Sequence, residues 1–493
     1  MTSDWRATLD ELAARRRRAL QMGGEERRAR HRAAGKLDAR ARLDHLLDPG
    51  SFTEIGSLVG AVPADALVAG WGTIEGRAVM VGAEDFTVEG GSIGSGNNAK
   101  RYRLAELALA DRIPLVMLLE GAGYRTTERV RGRSPTDLLA QVRCSGKVPV
   151  VTAVLGPSAG HGALVAPISD FSVMTAGAAI FTAGPPVVAE ATGEQVSKEE
   201  LGGPAVALTS GLVHNLAADD ADALDQVRRY LSFFGSSAWS YPSSRPATAS
   251  LELGDELLHV IPRDGRRTYD MRDVLSLVLD DGDWMEVQEH FGRSVICALA
   301  HLDGHPVAVV ANQPNVFAGS IDAAAAEKAA HFITVADAFH LPLVFLADNP
   351  GILPGRRSES EAVLRRGARM FVAQTLARTP KLHVTFRKAY GFGSMVMAMV
   401  SFDGQAGAFA FPGATLGAMG AGAAGRAIGA DDEQTRALRE AELVASFSSA
   451  ETFGFDELVD PRQVRRLLAV TLGRSLARRQ APAEPATRTA IDP

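Results

Sequence analysis

Cysteine is almost absent. Cys144 and Cys297 are the only two in 493 residues, and two isolated thiols build neither a disulfide framework nor a zinc site. A reducing compartment, the cytoplasm, fits that count. No apolar run reaches the roughly 20 residues that span a bilayer, so no membrane role is expected. The segment from Met1 to His31 is charged throughout and lacks the apolar core of a signal peptide. A dominant charge is missing too. The net charge of -6 is too mild to call for a nucleic-acid partner. The basic run Arg15 to Arg18 shares a predicted helix with Leu9, Leu12, Ala13 and Leu20. Acidic residues flank it, and it reads as a solvated helix face.

Glycine is abundant, at 49 residues, which points to tight turns and close backbone approaches. Hydrophobic residues make up 46% of the chain, normal for a globular protein, and the length calls for more than one core.

An internal repeat organises the chain. Gly76 recurs as Gly304, a spacing of 228 residues, and the same spacing carries Val79 onto Val307 and Val81 onto Val309. It also carries Gly91-Ser92-Ile93 onto Gly319-Ser320-Ile321, Lys100 onto Lys328, Pro114-Leu115-Val116 onto Pro342-Leu343-Val344, and Gly123 onto Gly351. A unit this long is a duplicated domain, since solenoid repeats run to roughly 20–50 residues. Each copy predicts a strand (Ala78 to Val81; Val307 to Val310) and a glycine-bearing loop. An amphipathic helix (Ala99 to Ala110; Ala323 to Phe339) and a short apolar strand (Leu115 to Leu119; Leu343 to Leu346) follow. The strand ends in an acidic turn, Glu120-Gly121-Ala122-Gly123 or Asp348-Asn349-Pro350-Gly351. Continuous apolar strands alternating with helices predict a buried parallel sheet.

A second loop pair follows at a spacing of 231 (Gly160 to Gly391). Val150 to Leu155 runs into Ala159-Gly160-His161-Gly162-Ala163, and Leu382 to Phe386 runs into Tyr390-Gly391-Phe392-Gly393-Ser394. Apolar stretches come next, Leu164 to Ile168 and Met395 to Val400, so the pattern reads strand, G-x-G turn, helix. The first N–H groups of a helix lack intrahelical partners, and the dipole adds partial positive charge there. Such a turn suits an oxyanion, for example a thioester enolate. Close helix–strand packing would leave the same pattern.

These residues resemble a known family. The chain is similar to the carboxyltransferase β subunits of propionyl-CoA, methylcrotonyl-CoA and related biotin-dependent acyl-CoA carboxylases, from about Lys36 to about Val464. The motifs in order are Lys36-Leu37-Asp38-Ala39-Arg40, Asp48-Pro49-Gly50-Ser51-Phe52, Gly90-Gly91-Ser92-Ile93-Gly94, Gly156-Pro157-Ser158-Ala159-Gly160, Leu201-Gly202-Gly203, Tyr269-Asp270-Met271, Ala311-Asn312-Gln313-Pro314, Glu327-Lys328-Ala329-Ala330, Pro350-Gly351-Ile352-Leu353-Pro354-Gly355, and Arg387-Lys388-Ala389-Tyr390-Gly391.

The resemblance implies an α/β fold of two tandem crotonase-like domains, 1–245 on the acyl-CoA side and 246–478 on the biotin side. Ser236 to Ser250 is the expected linker and 479–493 an expected disordered tail. It implies carboxyl transfer from carboxybiotin to the α-carbon of an acyl-CoA through an enolate, in a ring-shaped hexamer whose active sites join the N domain of one subunit to the C domain of another. The protein then need not supply a general base, consistent with the lack of an evident His/Asp or paired-carboxylate constellation in the sequence.

Position by position, the resemblance implies catalytic turns at Gly160, His161 and Gly162 and at Gly391, Phe392 and Gly393. Gly91, Ser92, Glu120, Gly121, Ala122, Gly123 and Met395 fall on the substrate side, and Gly351 and Ser394 on the cofactor side. No Met-Lys-Met biotinylation site and no glycine-rich ATP loop is present, so a biotin carboxylase and a biotin carboxyl carrier are implied partners.

The chain departs from the family in four places. Relatives carry a small residue, usually glycine, where His161 and Phe392 stand. They carry Asp-Ser-Gly-Gly-Ala-Arg in place of Glu120 to Arg125, and propionyl-type enzymes carry an acid at Met395. His161 either adds a side-chain donor or packs away, and Met395 either lines the acyl pocket or fills the core. A decarboxylase or transcarboxylase of malonyl- or methylmalonyl-CoA, or a non-catalytic subunit, would share these motifs. The acyl chain and the identity of the partner stay open.

Overall fold

The computed structural model describes residues 3–126, 135–247, 250–399, 404–479, 482–486 and 491–492. It divides into two compact units, Met1–Trp239 with Pro485–Pro493, and Ser240–Glu484. The division falls inside the Ser236–Ser250 stretch. Part of that stretch is packed: the Ala238 amide donates to Lys147 O at 2.8 Å.

Unit 1 is built on a sheet of eight strands: β1 (Thr53–Ile55), β2 (Leu67–Ile74), β3 (Arg77–Glu84), β4 (Leu115–Gly121), β5 (Val150–Ala159), β6 (Phe171–Thr175), β7 (Ala179–Phe181) and β8 (Asn215–Ala217). Their order is β1-β2-β3-β4-β5-β6-β8, with β7 paired to β5. Unit 2 has β9 (Trp284–Val287), β10 (Val295–Leu302), β11 (His305–Asn312), β12 (Leu343–Asn349), β13 (Lys381–Tyr390), β14 (Gly407–Ala410), β15 (Thr415–Gly417) and β16 (Glu457–Leu458). The order β9-β10-β11-β12-β13-β14-β16, with β15 on β13, repeats the first.

The strands expected to run parallel do so, and each sheet adds antiparallel strands that the sequence reading did not pick out. β1, β2 and β3 are antiparallel, as are β9, β10 and β11, and only the later strands run parallel. The cause is local. β2 turns into β3 through Glu75-Gly76, and β10 into β11 through Asp303-Gly304, at φ of 51° and 75° and of 51° and 76°. Two consecutive left-handed residues make the two-residue hairpin that matches strand twist. Asp48 accepts from the Glu75 and Gly76 amides at 2.9 and 2.8 Å, and Asp280 from Asp303 and Gly304 at 3.0 and 2.7 Å.

The repeat survives at the level of register. Met80 faces Leu115 in unit 1, and Ala308 faces Leu343 in unit 2, each pair shifted by the same 228 residues. The helices after β3 and β11 run Ser95–Asp111 and Ala323–Ala338. In unit 1, Leu104, Ala105 and Ala108 pack on Leu67, Met80 and Met117. Full burial of one such leucine stabilises by about 1.5–3 kcal/mol. Lys100 and Lys328 are buried beneath these helices and donate to backbone carbonyls, Ala64 O at 2.6 Å and Gln288 O at 3.2 Å.

The tail is not disordered where it is described. Ala483 is buried, and the Ile491 amide donates to Ser145 Oγ at 2.8 Å. Among the described residues no helix is long and apolar enough to cross a membrane. Both cysteines are buried, which pushes their thiols up to about 12.

Candidate active site

In unit 1 three glycine-bearing segments meet at the carboxyl ends of β3, β4 and β5, where open α/β sheets bind ligands. The Ile93 amide donates to Gly123 O at 2.8 Å, the Ala122 amide to Gly90 O at 3.0 Å, and the Arg125 amide to Ile93 O at 2.9 Å. The backbones touch so closely that a Cβ on Gly91 would fall 2.2 Å from Glu120 O, and one on Gly123 would fall 3.0 Å from Ala159 O. The structure thus brings Gly91, Gly121, Ala122 and Gly123 beside the Gly160 turn, as a wall of main chain.

Gly160 leaves β5 at φ 58° and starts a helix of one turn, Gly160–Ala163. The Gly160, His161 and Gly162 amides are the first of that helix and have no acceptor within it. The longer helix expected through Ile168 does not form. One turn carries little macrodipole, so the open amides themselves, not the dipole, give this corner its positive character.

The side chains here are engaged elsewhere. Ser92 Oγ accepts from Arg125 Nε at 3.1 Å, and Arg125 pairs with Asp65 at 2.5 Å. Glu120 is 1% exposed and accepts from Lys36 at 2.5 Å and Arg42 at 2.6 Å, with His31 at 3.4 Å. Burial pushes its carboxyl up, but the His31 contact and the charges of Arg42 and Lys36 more than offset this and bring it down to about 2. Expected as substrate-binding side chains, Ser92 and Glu120 instead hold the walls of the site together.

His161 corrects a second expectation. Its Nε2 bonds to Oδ1 of Asp137, the first residue of the Asp137–Cys144 helix, so a His–Asp pair does exist here. The sequence hid it because Asp137 lies in a different segment. Behind the turn, Glu84 accepts from the Glu120 amide at 2.6 Å and from Arg101. Burial raises the Glu84 carboxyl, with Arg101 opposing.

Beside this wall lies a cavity of about 600 Å³ lined by Arg27, Arg30, His31, Lys36, Lys198 and Phe86, with Gly90, Glu120 and Pro157 at its inner end. Sequence reading missed the basic wall. Arg27, Arg30 and Lys36 are spaced along a charged segment with no motif to mark them, and only the fold sets them beside Phe86 and Gly90.

Unit 2 repeats the geometry. The Ile321 amide donates to Gly351 O at 3.1 Å and the Leu353 amide to Ile321 O at 2.9 Å. Gly391 leaves β13 at φ 55° and opens the Gly391–Val396 helix, within which its first amides, those of Gly391, Phe392 and Gly393, have no acceptor. Val400 lies outside the described residues. A Cβ on Gly393 would stand 2.6 Å from Asn349 Nδ2 and 2.7 Å from Gly351 Cα. Gly393 is therefore required by close packing whatever else it does.

Two cofactor-side expectations shift accordingly. The Gly351 amide is taken by Asn349 Oδ1 at 2.8 Å, and Ser394 Oγ donates to Gly391 O at 2.7 Å. Both residues brace the turn and offer no free donor of their own. Phe392 sets its ring edge against Phe371, centroids 5.6 Å apart. Met395 is 45% exposed, so it does not fill the core. Asp348 accepts from Arg387 Nε at 2.7 Å, and Arg387 lies 4.8 Å over the Tyr269 ring, so the Tyr269 and Arg387 motifs form one buried cluster.

Comparison with known proteins follows from this geometry. The model of the carboxyl transferase domain family matches residues 30–472. The methylmalonyl-CoA carboxyltransferase 12S subunit of Propionibacterium freudenreichii subsp. shermanii is 36% identical, covering 95% of this chain and 94% of its own length. The propionyl-CoA carboxylase beta chain of Saccharopolyspora erythraea is 35% identical over 96% of this chain and 94% of its own. The methylmalonyl-CoA decarboxylase subunit alpha of Veillonella parvula is 35% identical over 93% and 94%. A crystal structure of the hexameric transcarboxylase 12S, with methylmalonyl-CoA and methylmalonic acid bound, superposes with a TM-score of 0.91 at 34% identity, covering 98% of each chain.

Proposed function

The chain belongs to the carboxyl transferase family, its fold the crotonase-like α/β unit used twice, and on that premise we propose how its two amide turns carry a carboxyl group between carboxybiotin and the α-carbon of an acyl-CoA. Unit 1 takes the thioester and unit 2 the biotin, in a hexamer like that of the transcarboxylase relative. The basic cavity of unit 1, with cations along one wall and Phe86 beside them, suits the phosphates and adenine of CoA. Its inner end reaches Gly90 and Pro157, on the way to the Gly160 turn.

Carboxybiotin supplies the carboxyl group and the base for the α-proton. The chain supplies position and charge. The open amides of Gly160, His161 and Gly162 donate to the thioester oxygen, most strongly once the α-proton has left and the oxygen carries the enolate charge. The amides of Gly391, Phe392 and Gly393 donate to the ureido oxygen. Each preorganised donor of this kind contributes roughly 10²–10³ in rate. The enolate carbon then bonds to the CO₂ set free as the N–C bond of carboxybiotin breaks, and the α-proton ends on the freed biotin nitrogen. Glycine at the first position of each turn permits the left-handed corner, and Gly91, Gly123, Gly351 and Gly393 let neighbouring backbone close around it.

The observation that carries this reading is the recurrence of one corner in both units. A left-handed glycine ends the central strand at φ 58° and 55°, and the amides that follow open a short helix and have no acceptor within it. The side chains of His161 and Phe392 turn away toward helices, so their bulk does not cap the amides. That favours an active subunit over a non-catalytic one.

The test is transfer from a carboxylated biotin carrier to acetyl-, propionyl-, 3-methylcrotonyl- and long-chain acyl-CoA by the purified chain. Gly162→Pro removes one amide, its Cβ pressing on Glu84 Oε1 and Ile93 Cδ1 at 3.3 Å, and should lose transfer while circular dichroism and hexamer size stay those of wild type. Normal transfer by folded Gly162→Pro refutes the amide assignment. Because the Veillonella relative is a decarboxylase subunit, the same residues serve the reverse direction. Formation of carboxybiotin from free biotin and malonyl- or methylmalonyl-CoA, with acetyl- or propionyl-CoA as the other product, measures it.

A further inference from the structure

In each unit the middle residue of the amide turn reaches for the helix that feeds the turn's own strand. His161 bonds Asp137 on the Asp137–Cys144 helix, which leads into β5. Phe392, 231 residues on, packs on Phe371 of the Val363–Leu376 helix, which leads into β13, with ring planes at 65°. The chemistry differs, ionic in one unit and aromatic in the other. The mechanical connection is the same.

The turns have need of it. The helices they open are only four and six residues long, too short to hold their own first amides in place. Glycine in the middle position would put three glycines in a row at 160–162 and at 391–393, each with the greatest backbone freedom to lose. A side chain fixed at its far end removes that freedom.

The far end is well fixed in unit 1. Asp137 is fully buried, accepts from Gln141 Nε2 at 2.7 Å and lies 3.8 Å from Arg101 Nη1, and its amide donates to Asn98 Oδ1 at 3.2 Å. Burial works against its charge, but the bond from His161 and the charge of Arg101 hold the carboxyl below its usual range. With Asp137 ionised, only a proton on His161 Nε2 makes the bond, so that nitrogen is withheld from any substrate oxygen. Tyr124 meets the imidazole edge-on at 6.0 Å, and Thr136 Oγ1 stands 3.4 Å from Nε2.

We propose that Asp137 with His161, and Phe371 with Phe392, are positioning pairs that hold the two amide turns still for carboxyl transfer. The proposal rests on the reading of these turns as oxyanion sites, and it assigns the two unusual side chains a structural purpose in that reaction. None of the four side chains touches the reacting atoms.

The test uses the full chain with His161→Gly, His161→Gln, Phe392→Gly and Phe392→Leu. Amide hydrogen exchange of the peptide spanning 158–166 should speed up at least about tenfold in His161→Gly, with the peptide around 389–396 unchanged, and Phe392→Gly should do the reverse. In the transfer assay, using whichever acyl-CoA of the panel above turns over fastest, kcat should fall roughly 10- to 100-fold while KM for the thioester moves less than about twofold. His161→Gln, which can still donate to Asp137, and Phe392→Leu, which can still pack, should restore most of both effects. Wild-type exchange in the two glycine variants overturns the proposal, as does wild-type kcat, or a loss that the conservative variants fail to rescue. An inactive wild type would sink the assignment of function instead, while exchange would still decide whether the braces exist.

Discussion

Glutamine at position 120 is the most informative single change in unit 1. Glu120 is buried and its carboxylate is shared by Lys36, Arg42 and His31. Its carboxyl lies at about 2 in the fold against an ordinary 4.5. At about 1.4 kcal/mol per pH unit, that difference is worth about 3 kcal/mol of stability at neutral pH. Breaking a buried ion pair by neutralising one partner costs about 3–5 kcal/mol, which agrees. Arg42 keeps Asp220 at 2.8 Å, and glutamine keeps an acceptor, so the lower figure is expected.

Urea unfolding followed by tryptophan fluorescence suits the measurement. Three of the four tryptophans, Trp5, Trp71 and Trp239, lie in unit 1. With a slope of about 1–3 kcal/mol per molar urea, the unit 1 midpoint should drop by roughly 1 M or more at pH 7. The sign with pH is fixed. The folded carboxyl is depressed, so its contribution is whole above 4.5 and is lost as pH falls toward 2. The gap between wild type and Glu120→Gln should shrink to roughly 40% of its neutral value at pH 3. Equal midpoints at pH 7, or a gap that does not shrink in acid, would refute the assignment of Glu120 to this cluster.

Asp170 should behave in the opposite sense. Burial raises its carboxyl to about 7 against an ordinary 3.8, the Val150 amide at 2.7 Å offsetting only part. Its contribution is therefore whole below about 4 and is lost as pH rises through 7, so Asp170→Asn should match wild type near pH 4 and gain in urea midpoint by pH 8; parallel pH curves would count against it. Two glycines, one from each turn, should also separate. Gly393→Ala forces a Cβ to within 2.7 Å of Gly351 Cα and should cost about 1–3 kcal/mol and abolish transfer. Gly160→Ala meets nothing nearer than 3.5 Å and should cost about 1–2 kcal/mol for its left-handed φ alone. Equal losses in urea midpoint and transfer rate would mean that the packing around Gly393 has been misjudged.

Much of the fold was legible one segment at a time. The central strands announced themselves as apolar runs, and their register keeps the 228-residue spacing from Met80–Leu115 to Ala308–Leu343. The hairpins at Glu75-Gly76 and Asp303-Gly304 went unread: Gly76 and Gly304 served only to mark the repeat, and the strands before them, β2 and β10, were not picked out. The G-x-G turns were found by spacing. What their third glycines do was not, because the demand on Gly393 comes from Asn349 and Gly351, some forty residues away. The helices after the turns were overread: apolar composition through Ile168 marks burial, and burial does not require helix.

From the sequence alone follow the duplication, the order of strands and turns, the positions where only glycine fits a left-handed corner, and the family. All of these rest on local sterics or on a pattern that repeats along the chain. Only the tertiary structure decided which charges meet. Glu120 draws Arg42 from 78 residues away and Lys36 from 84, Arg42 reaches 178 residues to Asp220, and His161 finds Asp137 on another helix. Buried ion pairs are set by distance in space and by the exclusion of water, neither of which leaves a periodic mark in the chain.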